Sequence, residues 1–188
     1  MGEGSIHSIV LKSRMAAMTE LVILRLVHIL SATVWVGSAV FGSVMLMPVL
    51  ARLGPAAGPV MAGLRDRGMA AFMPTVALLT ILSGLRLIAI TSGGFAASYF
   101  ETTWGATYAA SGAAAIVAFV LGVVFARPLG ARLGALGAQL ASEEDEARRS
   151  ALSSQLAAVR RTNAILQWVL GVLLVGAAAG MSVARYLG

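Results

Sequence analysis

Four long apolar stretches, separated by short charged segments, dominate this chain of 188 residues. They run from about residue 21 to 50, 69 to 91, 105 to 126 and 163 to 184. The hydrocarbon core of a bilayer is about 30 Å thick, and roughly 20 helical residues cross it. Each stretch meets that length. The sequence therefore predicts an integral membrane protein: an all-α four-helix bundle that forms one transmembrane domain over residues 1–188.

The composition excludes the main alternatives to a membrane protein. Charged residues make up 12% of the chain, against about 25% in soluble domains, so a soluble globule of this size lacks the polar residues to cover its surface. Disorder is excluded because 59% of the residues are hydrophobic. The absence of cysteine removes disulfides, thiolate metal sites and cysteine nucleophiles. The expected partner is the lipid bilayer.

The basic residues indicate orientation rather than a nucleic-acid partner, although the formal net charge is +6. The loop at 51–68 contains three arginines and the segment at 127–162 contains six, whereas the connection between the second and third spans contains no basic residue. Cytoplasmic loops of membrane proteins are enriched in Arg and Lys. We therefore expect both Arg-rich segments in the cytoplasm and both termini outside, in a membrane of the bacterial inner-membrane type. Residues 1–18 lack the apolar core of a cleavable signal peptide.

The segment at 127–162 is itself predicted to be helical. Its apolar residues follow helical spacing on both sides of the acidic run at 143–146. We expect the third and fourth helices to extend into the cytoplasm as an amphipathic hairpin that binds no ligand. A basic surface for a protein or for lipid head groups is the alternative. The apolar residues concerned are Leu129, Leu133, Leu136, Leu140, Leu152, Leu156 and Val159.

Three ionisable residues lie inside the predicted spans, where such residues are costly and indicate a functional site. Arg25 and His28 are spaced i, i+3 and share one helix face. Arg86 lies near the outer end of the second span, at the level of Arg25, and His28 is about 4.5 Å deeper at 1.5 Å per residue. No acidic residue lies within a span, and Glu20 and Glu101 near the outer interface are the nearest. A bound anion is the alternative partner for the two arginines.

Haem b fits this pattern near the outer leaflet. His28 would ligate the iron, and the two propionates would pair with Arg25 and Arg86. The second axial ligand would be Met181 or a His28 from another subunit. In a third alternative the iron is five-coordinate. The predicted role is electron transfer or another haem-linked redox role. In the alternative, the arginines reach the head groups and His28 bonds another helix, as expected of an accessory or oligomerising subunit of a larger membrane complex.

Two further sequence patterns, one of methionines and one of glycines, are consistent either with packing or with a function. Met45, Met47, Met69 and Met73 should all lie near the cytoplasmic face, where thioethers could bind Cu(I), although methionine commonly fills cores. Gly176 and Gly180 form a GxxxG pattern, which favours close helix contact within the bundle or in a homo-oligomer.

An aromatic group follows the second span, on the outer side. An interfacial aromatic belt is the favoured interpretation, and a lid over a site is the alternative. Its members are Phe95, Tyr99, Phe100, Trp104 and Tyr108.

The first span also resembles a known family. Residues 26–37 read LVHILSATVWVG, which is similar to the opening of the CopD-like and HemJ-like membrane proteins. The LSGL at 82–85 resembles their second span, and TWG at 103–105 with ARPL at 126–129 resembles the third span of CopD. The resemblance covers residues 21–135.

The resemblance implies a small helical bundle and makes His28 the motif histidine. The family includes a protoporphyrinogen oxidase that binds haem b, and the copper-resistance D proteins implicated in copper uptake. The HemJ-like pattern has a lysine in the third span, where this chain has Tyr108, Ala109 and Ala110. The resemblance therefore implies haem binding or copper handling and argues against protoporphyrinogen oxidation. Whether the chain is an enzyme stays open.

Overall fold

The computed structural model describes the backbone of residues 3–187 and, apart from residues 3–7, 9, 10, 13 and 55, their side chains. Within that range the chain is helical except for short turns and connections, without strands. Four helices are long and apolar enough to cross a membrane: Arg14–Leu53, Met69–Thr91, Thr103–Ser142 and Glu146–Tyr186. The all-α class and the number of candidate spans are therefore confirmed. That these helices cross a bilayer follows from their length and composition and stays a prediction.

Eight α-helices make up the described part of the chain, with short π and 3₁₀ turns between some of them. The first apolar helix comprises α1 (Glu3–Phe41), a π turn (Gly42–Leu46) and α2 (Met47–Leu53); a 3₁₀ turn (Gly54–Ala56) and α3 (Ala57–Asp66) follow. Next come α4 (Met69–Thr91), α5 (Ala97–Glu101), α6 (Thr103–Leu121), a second π turn (Gly122–Ala126), α7 (Arg127–Ser142), α8 (Glu146–Val183) and a 3₁₀ turn (Ala184–Tyr186).

The apolar helices form a four-membered ring. Helix α1 packs along α4 and along α8, and α6 packs along α8 and α4. Helices α4 and α8 therefore lie across the bundle from each other. One core cluster forms where α8 meets α6 and α1, around Ala118, Leu170 and Leu174 with Trp35 against them. We call the end with the termini and the 92–102 connection the terminal face, and the opposite end the hairpin face.

The predicted hairpin lies at the hairpin face. Leucines of α7 pack against the first half of α8, around buried Leu136, Leu156 and Val159. The two helices are joined by residues 143–145, and the Asp145 carboxylate caps α8 by accepting the backbone N–H of Ala147 at 2.8 Å. A capping carboxylate satisfies amides that have no partner within the helix. The acidic run thus ends one helix and begins the next, as the sequence predicts.

Each π turn precedes a proline. The Met47 N–H donates to the carbonyl of Gly42, five residues back, and Pro48 follows. The second π turn, Gly122–Ala126, has the same bond and is followed by Pro128. A proline ring clashes with the carbonyl four residues before it in a regular helix, and a wider turn relieves that clash. Both helices thereby pass their prolines without breaking.

Candidate functional site

Helices α1 and α4 meet through a group of polar side chains within their apolar surfaces. Three of these side chains are buried, with exposed fractions of 8% for Ser31, 6% for Thr80 and 5% for Ser83, and His28 is half-buried beside them. We call these four residues the His28 network. The network contains the one histidine that the sequence places inside a span.

The hydrogen bonds of His28 assign the proton on its ring. Nδ1 lies 2.8 Å from the backbone carbonyl oxygen of Thr80 and 3.3 Å from the Ser83 hydroxyl. A carbonyl oxygen only accepts, so Nδ1 carries the hydrogen and donates it. In the neutral ring, Nε2 then keeps its lone pair. The arrangement fixes the ring against α4 and leaves Nε2 able to accept a hydrogen bond or to bind a metal.

Gly84 makes this close approach possible. A β-carbon at position 84 would lie 2.8 Å from Cε1 of His28 and 3.1 Å from its Nδ1. Any larger residue would push the imidazole away from the Thr80 carbonyl. Sequence reasoning did not identify Ser83, Gly84 or the Thr80 carbonyl as site groups. The sequence signal that could have identified them is the Ser-Gly pair of the LSGL segment, which lies two to three residues before Arg86.

The remaining hydroxyls of the network have partners of their own. Ser31 donates to the Val27 carbonyl at 2.6 Å, and the Thr80 hydroxyl lies 2.9 Å from the Ser31 oxygen. Ser83 donates to the Leu79 carbonyl. Among the side chains that the structure describes, no fully buried nitrogen or oxygen lacks a hydrogen bond. The hydroxyls of the network and Nδ1 of His28 therefore have hydrogen-bond partners within the protein. Nε2 of His28 makes no hydrogen bond to the described part of the chain.

Arg86 pairs with a carboxylate of this chain. Its Nε lies 2.8 Å and its Nη2 2.7 Å from one carboxylate oxygen of Glu20, and the side chains are 56% and 44% exposed. Glu20 was one of the two acids that the sequence offered as a partner. Arg25 is exposed and makes no ion pair within the described part of the chain. A ligand anion would thus meet an unpaired Arg25 but an already neutralised Arg86.

Met181 is half-buried on α8, whose neighbours are α6 and α1, whereas His28 faces α4. Among residues 3–187, no hydrogen bond joins Met181 to the imidazole, whose recorded partners are Thr80 and Ser83. The contacts therefore do not select a second axial ligand from the alternatives that the sequence leaves open.

The four methionines near the hairpin face differ in exposure. Met45 lies in the first π turn and is 58% exposed, whereas Met47 begins α2 and is half-buried. Residues two apart on a helix do not face the same side. Met69 is 37% exposed at the start of α4, and Met73 is half-buried one turn later. Met45 and Met47 therefore lie on different sides of the first helix, and the copper alternative stays a prediction.

The GxxxG glycines also have different environments. A β-carbon at Gly180 would collide with the Ser111 hydroxyl of α6, so this glycine permits close packing within one chain. Nothing lies within 4 Å of a β-carbon built at Gly176. Only Gly176 therefore offers open space for a second copy of the chain.

The aromatic group is a packed cluster at its centre. Tyr99 is 8% exposed, and its ring lies edge-on to Trp104 and Phe100, with centroids 4.5 Å and 5.1 Å away. Trp104 in turn packs edge-on to Tyr108 at 6.5 Å. Tyr99 thus joins α5 to the start of α6, whereas Phe95 is 53% exposed. The interpretation as an interfacial belt stays a prediction.

Comparison of the chain with protein-family models, curated proteins and solved structures gave no match. The resemblance of the first span to CopD-like proteins therefore stays a prediction from its motif. Among the described residues, no group of three or more His, Cys, Asp or Glu side chains is placed to hold a metal ion. A haem ligated by one histidine does not need such a group.

Proposed function

We propose that this protein is a haem b-binding integral membrane protein and that Nε2 of His28 is an axial ligand of the iron. The observation that carries the proposal is the 2.8 Å contact between Nδ1 of His28 and the Thr80 carbonyl. Metal-ligating histidines commonly donate their other ring N–H to a carbonyl or a carboxylate, which fixes the tautomer and the ring orientation. A bound haem would supply one-electron redox chemistry at its iron.

The residues around His28 have chemistry that suits this ligand. Arg25 lies three residues before His28 on α1, toward the terminal face, and its guanidinium has no ion-pair partner among the described side chains. It is the residue expected to bind a propionate through charge-assisted hydrogen bonds. Arg86 and Glu20 would lie at the same edge of the haem, and as an ion pair they carry no net charge. Together these groups favour haem binding near the terminal face, and the role that we propose for the haem is electron transfer or another haem-linked redox role.

Absorption spectroscopy of matched histidine variants tests the proposal. The chain has two histidines, His7 and His28, so His7→Ala is a control that removes the same side chain outside the predicted spans. The purified wild-type protein and His7→Ala are expected to show a Soret band that His28→Ala loses or shifts. A Soret band that is identical in all three proteins would overturn the assignment of His28.

A further inference from the structure

Two segments of this chain repeat one another in sequence. Residues 42–54 read GSVMLMPVLARLG and residues 122–134 read GVVFARPLGARLG. Aligned without gaps, they share seven of 13 residues, including Gly, Pro and the final Ala-Arg-Leu-Gly. We call them the first and second repeat segments. They occur at corresponding places, where the first and third apolar helices approach the hairpin face.

The structure of the two segments is also the same up to their last residue. Each begins with a five-residue π turn, Gly42–Leu46 or Gly122–Ala126, and each π turn is followed by an α-helix with proline at its second residue. The segments diverge at their last residue, because Gly54 has a φ of +55° and ends its helix, whereas Gly134 continues α7. The shared part is therefore the turn, the proline and the arginine.

The arginine, the proline and a valine share one outward face in each segment. They follow i, i+4, i+8 spacing, which places them in a row along a helix. All six residues are exposed: Val44, Pro48, Arg52, Val124, Pro128 and Arg132. Apolar neighbours on the same helices are exposed as well, including Val49 at 55% and Phe125 at 52%. Each segment thus presents an apolar surface that ends in a guanidinium.

The contacts between α1 and α4 indicate the depth of the first segment. Glu20 meets Arg86 and His28 meets Thr80, so the two helices are antiparallel. Continued along both helices at equal rise, that register brings residues 37–39 level with the start of α4 at Met69. The first π turn therefore begins three to five residues, or about 5–8 Å, beyond the start of α4. Helix α4 has 23 residues, or about 34 Å at 1.5 Å per residue, which is close to the hydrocarbon thickness. The π turn therefore lies at the membrane interface, and Arg52 lies beyond it.

Each proline removes one backbone donor from its helix. Pro48 and Pro128 have no N–H, so the carbonyls of Val44 and Val124 lack the donor that an α-helix supplies. Hydrocarbon offers none, whereas water and lipid head groups do. Val44 is 47% and Val124 53% exposed, so both residues lie on the outer surface of the bundle.

The two arginines also lack partners within the described chain. Among the described side chains, the ion pair is between Arg86 and Glu20, and no carboxylate pairs with Arg52 or Arg132. A ligand that matches such a face has acyl chains for the apolar surface and an anionic phosphate for the guanidinium. We propose that the repeat segments form two equivalent binding sites for anionic phospholipid, with the phosphate on Arg52 in one and on Arg132 in the other. The proposal rests on membrane insertion and not on haem binding.

Native mass spectrometry of the detergent-purified protein tests this. Titration with phosphatidylglycerol is expected to give two tightly bound lipids, and phosphatidylcholine is expected to bind more weakly. Arg52→Gln or Arg132→Gln should each weaken one site about fivefold, and the double variant should weaken both. Arg148→Gln, at the far end of the hairpin, is the charge-matched control and should bind as the wild type does.

Three results would overturn the proposal. The double variant could retain its helical circular dichroism and bind phosphatidylglycerol as tightly as the wild type does, or Arg148→Gln could lose as much binding as the double variant. The wild type could also bind phosphatidylcholine as tightly as phosphatidylglycerol. Inorganic phosphate at the lipid concentration should not displace the lipid, and displacement would show that the sites bind free phosphate instead. A protein without a Soret band leaves these outcomes unaffected, so failure of the haem assignment is a separate result.

Discussion

At the scale of single residues, the account depends on the fit between one imidazole and one glycine. His28 reaches the Thr80 carbonyl because position 84 has no side chain. The sequence indicates His28 because an ionisable residue inside an apolar span is unusual. It does not indicate the carbonyl, which belongs to another helix and carries no residue-type signal. The sequence therefore predicts His28 as a site residue but does not predict the Thr80 carbonyl as its hydrogen-bond acceptor.

Gly84→Ala tests this fit. The new β-carbon would lie 2.8 Å from Cε1 of His28, so the ring or the helices must shift. We expect a loss of about 1–3 kcal/mol in the free energy of unfolding, as for other overpacked sites, together with a reduced haem content. Gly37→Ala is the control, because nothing lies within 4 Å of its added methyl group. Thermal unfolding in detergent measures both, and equal midpoints for the two variants would contradict the close contact.

The two arginines should respond differently to removal of their charge. Arg86 is neutralised by Glu20, and an exposed ion pair contributes about 0–1 kcal/mol, so Arg86→Gln should change stability little. Arg25 has no such partner within the described residues and is the expected propionate ligand. Arg25→Gln should therefore release haem more readily than Arg86→Gln in a transfer assay to apomyoglobin. Equal release rates would contradict the separate roles.

At the scale of helices, the hydrophobic pattern predicted which segments are apolar but not where every helix ends. The span at 69–91 matches α4, which is bounded by Gly68 at a φ of +79° and by Ser92. Helix α1 begins at Glu3, well before residue 21, because a helix can continue into water without changing its backbone. The π turns were not predicted, since apolar spacing does not distinguish a bond to the fifth residue from one to the fourth.

The leucine-lined hairpin is predicted to depend on its own small core. Leu156 is 6% exposed and packs with Leu136, so Leu156→Ala should cost about 2–5 kcal/mol locally. Ser154→Ala, on the exposed surface of the same helix, is the control. Limited proteolysis at residues 143–145 is expected to accelerate in Leu156→Ala alone. Unchanged cleavage would mean that the leucine contacts do not hold α7 to α8.

At the scale of the whole molecule, the ring of four apolar helices determines the possible sites. His28 lies between α1 and α4, and the repeat segments lie at the hairpin face. The number of helices and their class were predictable, because a bilayer fixes the length and polarity of what crosses it. Which helices are neighbours was not predictable, because small residues are abundant on all four and no pairing stands out in the sequence.

The orientation in the membrane is a prediction of the arginine distribution. The chain has no cysteine, so single cysteines report accessibility without any background. With the terminal face outside, Ser98→Cys should react with an impermeant maleimide in intact spheroplasts, and Ser150→Cys should react only after lysis. The reverse pattern would invert the topology, and labelling of both in intact cells would exclude insertion as a four-helix bundle.

The absorption spectrum of the wild-type protein, purified from haem-replete cells, tests the central claim most directly. The account predicts a Soret band, an α band that sharpens on reduction with dithionite, and a pyridine haemochrome spectrum of haem b in fixed stoichiometry with the chain. A colourless preparation that is folded by circular dichroism, and that does not acquire a Soret band when haem is added, would contradict it.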